Sequence, residues 1–114
     1  MANGNTILVE TFGNNPVIRI IGFLIDNPIF DYSKEDMIKE LGMSKITFYK
    51  YFRMLERTSI FKNTRKVGKS KLYKLDEKNP VVIKLKELVW TLGLDAMQKA
   101  VDQEKIPINI YLKN

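Results

Sequence analysis

The sequence predicts a mainly α-helical domain that carries one small β-hairpin and ends in a long helix. Three observations carry that expectation. Apolar residues recur at three- and four-residue steps through most of the chain, and the runs open on capping residues such as Asn15, Ser33, Ser44 and Asn79. After Thr58 the spacing changes to two short strand-like runs parted by Gly68. Beyond Asn79-Pro80, apolar residues continue in helical spacing to about Gln103.

Taken in order, residues 6–12 are short and ambiguous, and Gly13, suited to a left-handed helix stop, favours helix over strand. Asn15-Pro16 then pairs a cap with Pro at the first helical position, and Val17, Ile20, Ile21, Leu24 and Ile25 share one broad face. Asn27-Pro28 closes that helix, because the residue before Pro is pushed out of the helical region. Ser33 and Asp36 form a capping-box pattern, with Glu35 and Asp36 at the positive helix end. Met37, Ile38 and Leu41 supply a buried side, and Gly42 stops the helix after about two turns. Met43 leads to Ser44, a second cap, and a helix running to about Thr58 with Phe48, Phe52 and Leu55 inward. Two short helices joined by Gly42-Met43 make a helix-turn-helix.

Residues 60–66 and 71–75 read as strands around the Gly-containing loop 67–70, a hairpin whose Phe61, Tyr73 and Leu75 face the helices. The final helix carries Val81, Val82, Leu85, Leu88, Val89, Leu92, Ala96 and Met97, with Gly93 as a bending point. Residues 106–112 alternate weakly and read as an extended arm or a disordered tail. The chain thus divides into residues 1–78 as the hairpin-bearing domain, 79–104 as a long helix and 105–114 as a tail.

Composition narrows the chemistry. The 114 residues include no Cys and no His, which removes disulfides, thiolate nucleophiles, the usual zinc sites and the imidazole base. No phosphate-binding or dinucleotide glycine pattern is present. Asp31, Glu35, Asp36 and Glu40 surround a helix start, where capping and dipole effects account for them. No catalysis, cofactor or metal is expected. Charges at Asp26, Lys84, Lys86 and Glu87 interrupt the apolar stretches, and the first residues lack the layout of a signal peptide. A soluble, cytoplasmic protein is the expectation.

The positive charge is concentrated. Residues 45–74 hold ten Lys or Arg against Glu56 alone, a local +9 in a chain of net +6, so the other 84 residues sum to −3. A focused basic surface of this kind fits a polyphosphate partner. With Phe48, Phe52 and Leu55 inside, the other side of that helix offers Lys45, Ile46, Tyr49, Lys50 and Arg53 as one stripe, with Thr47 on its flank. Outward Ile46 and Tyr49 suit contact with thymine methyls and with base edges or phosphate. A helix rotated by about a third of a turn would instead bury both. The hairpin tip adds Lys66, Lys69 and Lys71 beside Gly68. Some edge lysines could equally serve to deter strand-on-strand aggregation.

The last helix is apolar on more than one side. Val82, Leu85, Val89, Trp90 and Leu92 are the residues expected to form a symmetric homodimer, the alternative being a single thick core.

From about residue 12 to about residue 92 the chain resembles the winged helix-turn-helix domain of small archaeal and bacterial transcriptional regulators. The MarR-type and ArsR-type groups are nearest, especially the small archaeal members. Gly42 at the turn, Ser44 as cap, Thr47, Phe48 and Leu55 in the helix, and Gly68 with 72–75 in the wing carry the likeness. It implies a sequence-specific double-stranded DNA-binding transcriptional regulator whose terminal helices dimerise. The recognition helix, about 44–58, would read the major groove, with the wing, about 60–75, on the backbone or minor groove. It assigns Lys45, Ile46, Thr47, Tyr49, Lys50 and Arg53 to the helix contacts and Lys66, Lys69 and Lys71 to the wing; Ser44 and Arg65 are expected to contact DNA as well. The chain departs from the pattern in two places. Ile38 stands where a small Ala is common, and Thr58-Ser59 replaces the usual glycine after the recognition helix. Metal-sensing relatives use Cys and His ligands, which this chain lacks. No residue set designates an effector pocket. A winged-helix protein-interaction module and a nonspecific nucleic-acid-binding factor are the competing readings.

Overall fold

Local side-chain chemistry opens the helices where the caps stand. The computed structural model describes residues 6–104, and the tail expected at 105–114 lies outside the described residues. The element order is α1 (Ile7–Phe12), α2 (Pro16–Asp26), α3 (Lys34–Leu41), α4 (Lys45–Glu56), β1 (Phe61–Val67), β2 (Ser70–Leu75) and α5 (Pro80–Glu104). The Asn15 side chain accepts from the Ile18 N–H at 3.0 Å, starting α2. Both halves of the Ser33–Asp36 box form, at 3.0 and 3.1 Å. Gly42 takes φ +61, so the chain turns left-handed where a side chain would be strained, and Ser44 starts α4 two residues later. Arg19, from α2, donates to the Leu41 carbonyl and satisfies the end of α3.

The α4 helix ends at Glu56, short of the expected Thr58. The Thr58 hydroxyl donates to the Leu55 carbonyl at 2.6 Å, and Ser59 then adopts φ +62. Glycine is the residue that tolerates this left-handed conformation, and the turn is kept here with a Ser in its place. Ser59→Gly is therefore expected to raise the unfolding free energy by about 1 kcal/mol, read as a higher urea midpoint.

The hairpin turn is tighter than expected. Gly68 and Lys69 alone form it, with φ +60 at Gly68, and pairing runs from Phe61↔Leu75 to Val67↔Ser70. Register shifts between Asn63 and Arg65, making Thr64 a bulge. Tyr32 adds a bridge to Tyr73, each N–H donating to the other carbonyl at 2.9 and 2.8 Å. The core gathers Phe48, Phe52 and Leu55 from α4 with Ile20, Met37, Tyr73 and Leu75, as the spacing predicts.

The Asn79 side chain accepts from the Val81 N–H and donates to the Ser59 carbonyl, tying the start of α5 to the turn after α4. Val82, expected on a dimer face, is 0% exposed and belongs to its own domain's core. Leu85, Val89 and Leu92 pack partly against that core too. Among the described residues beyond Leu92 none joins it, so α5 runs on past the domain in a molecule 52 × 28 × 23 Å across. No helix among the described residues is long and apolar enough to cross a membrane.

Candidate nucleic-acid interface

The start of α4 is built to attract anions. Its first turn holds no acid and begins with Lys45, so a cation coincides with the positive end of the helix dipole. The Ser44 hydroxyl accepts from the Thr47 N–H at 3.2 Å, leaving Ser44 at the surface as the cap. Lys45, Lys50 and Arg53 are exposed, and Ile46 is 86% exposed, so the helix is not rotated to bury it. Tyr49 differs from the expectation. It is half-buried against the core edge, and its hydroxyl donates to Glu35 at 3.4 Å. Burial first, then the Glu35 charge and hydrogen bond, push the phenol pKa up, keeping it a neutral donor. Arg57, exposed just after α4, adds a cation outside the expected set.

The hairpin presents Lys66, Lys69 and Lys71 as exposed cations around its tip. Register sets like charges directly opposite twice, Lys66↔Lys71 and Lys62↔Lys74. Such cross-strand pairs are unfavourable by a few tenths to about 1 kcal/mol each. A polyanion lying along the hairpin would relieve that repulsion.

Arg65 also has a structural part. Its guanidinium forks onto Asp31, Nε to Oδ2 at 2.9 Å and Nη2 to Oδ1 at 3.1 Å, while the Thr64 hydroxyl donates to Oδ2 at 2.5 Å. Arg65 thus anchors β1 to the segment before α3 through two of its N–H groups, while its side chain stays 63% exposed. The Asp31 side chain is 14% exposed, and hydrogen bonds from Arg65 and then Thr64 lower its pKa from 3.8 to about 2. A carboxylate with a depressed folded-state pKa contributes stability above its ordinary value and loses it as pH falls through the folded one. The thermal stability gap between the protein and Asp31→Asn should therefore hold from pH 7 to about 4 and close toward pH 2.

The α5 helix leaves apolar residues in water on two flanks. Ile83, Trp90 and Leu94 are exposed on one, with Trp90 at 69%. On the other, Val81 and Leu88 border a shallow apolar groove of about 380 Å³ that also takes in Pro80, Lys84 and Leu85. Of the expected dimer set only Trp90 stands fully outside.

No protein-family model matches the sequence, and no curated protein matches it. Among solved structures, the chain is similar to the crystal structure of MepR, a transcription regulator of the Staphylococcus aureus multidrug efflux pump MepA. The likeness has a TM-score of 0.63 at 22% identity, over 84% of this chain and 69% of MepR. The fold is accordingly a winged helix-turn-helix: α3 and α4 are the helix-turn-helix, and β1 and β2 are the wing.

Proposed function

We propose that this chain is a sequence-specific double-stranded DNA-binding transcription regulator that acts as a homodimer in the cytoplasm. The observation that carries the proposal is the α4 surface, where Lys45, Lys50 and Arg53 surround a fully outward Ile46. Phosphate binding needs cations alone, and an exposed aliphatic among them suits contact with base edges in the major groove. The paired lysines of the wing supply backbone contacts beside it. The likeness to MepR supports the same reading, since that protein is a transcription regulator. The archaeal leaning of the sequence resemblance has no parallel in it.

The dimer face is revised from the one expected. Ile83, Trp90 and Met97 recur every seven residues on α5, with Leu94 and Val101 offset along the same flank. That spacing is the seam of paired helices, broken by Glu87 between Ile83 and Trp90 and apolar from Trp90 onward, along the part of α5 that its own core leaves uncovered.

Selection from a random duplex pool at near-physiological salt tests the function. An enriched inverted repeat, with half-sites about one DNA turn apart, is the expected result. Binding without an enriched motif would support a nonspecific factor, and no binding would support a protein-interaction module.

A further inference from the structure

We propose that Lys34 is a positioning residue that locks the recognition helix to the wing and so fixes the spacing of the two DNA-contacting surfaces. The inference rests on the DNA-binding reading above. Lys34 occupies the first position of α3, where a cation meets the positive end of the helix dipole and is out of place. Its ammonium sits over three aromatic rings, 5.3 Å from the centroid of Phe52, 5.7 Å from Tyr49 and 5.8 Å from Tyr73. The negative faces of those rings supply the compensation the helix end withholds. Two of the rings belong to α4 and the third to β2, so one cation joins three elements.

The rest of the geometry makes this a joint and not an isolated contact. Tyr73 is bridged through its backbone to Tyr32, two residues before Lys34. The Phe52 ring also meets Tyr73, at 5.2 Å between centroids and 75°. Glu35, next to Lys34, accepts from the Tyr49 hydroxyl. Lys34 also lines a cleft of about 350 Å³ between α3, the end of α4 and the wing tip, with Glu35, Glu56, Lys69 and Lys71 around it. A loosened joint would let the wing lysines move relative to the α4 stripe.

Two measurements on Lys34→Met and Lys34→Arg test this. In the DNA-free protein, the Tyr32 and Tyr73 amides should exchange at least about tenfold faster in Lys34→Met, with α2 amides unchanged. Lys34→Arg, which keeps the cation over the rings, should restore protection. Lys34→Gln guards against a folding defect peculiar to Met. On DNA, each lost phosphate contact lowers the slope of log affinity against log salt by about 0.9. Loss of the wing should lower it by about 1.8 or more in Lys34→Met, and Lys34→Arg should recover it. A drop of only about 0.9 would make Lys34 a direct phosphate ligand and overturn the proposal, as would an unchanged slope. Wild-type exchange rates in Lys34→Met and Lys34→Gln overturn it whatever the DNA result. If the wild-type chain binds no DNA, the functional reading fails, and the exchange rates alone decide the joint.

Discussion

Phe52→Ala is expected to lower the unfolding free energy by about 3–5 kcal/mol, the range for removing a large aromatic side chain from a packed core. Phe52 is 1% exposed and stands at the crossing of the helix-turn-helix and the wing. Its ring stacks on Phe61 at 4.5 Å and 10°, on Phe48 at 5.1 Å and 22°, and meets Tyr73 edge-on. Truncation removes those contacts together and leaves a void that α4 and β2 can close only by moving toward each other. Domains of this size have roughly 5–15 kcal/mol of stability in all, so the loss is a large share of it. Urea unfolding checks this: a midpoint lower by about 2 M, with the slope unchanged, is the expected outcome. A shift below about 0.5 M would mean that the stack contributes little. Phe52→Leu, which keeps the site apolar and refills part of the volume, should cost markedly less.

The elements legible in the sequence were those set by neighbours in the chain. Asn15, Ser33, Ser44 and Asn79 each bond an N–H two or three residues ahead, so their residue types alone announce a helix start. The inward trio Phe48, Phe52 and Leu55 was legible because helical spacing puts them on one side. What could not be read depended on partners far away. Asp31 and Arg65 are 34 residues apart, and a count of cations gives no sign that one of them is already held by a carboxylate. Val82 and Trp90 are both apolar residues of one helix, and only the docking of α5 decides which of them the core takes. Lys34 did leave a local signal, a cation at the wrong helix end, and Ser59 left one as the missing glycine. Both mark places where tertiary structure overrides local preference.

Trp90→Glu combined with Leu94→Glu is expected to make the protein monomeric and to weaken binding to an inverted repeat by about 10²–10⁴-fold. Both side chains are exposed on the protomer, so the substitutions leave the core intact, and helical content should not change. In the proposed seam each would place a carboxylate among apolar residues, where a buried charge is costly. Two half-sites bound by a dimer gain from the high effective concentration of the second recognition helix, and a monomer loses that gain. Affinity for an isolated half-site should stay as it was, which separates a lost interface from a damaged DNA surface. The chain's single Trp gives an independent check in the wild-type protein, because its emission should shift red on dilution as the dimer parts. Sedimentation equilibrium showing a wild-type monomer at tens of micromolar would remove the dimer from the proposal. The exposed flank carrying Ile83, Trp90 and Leu94 would then need a different partner.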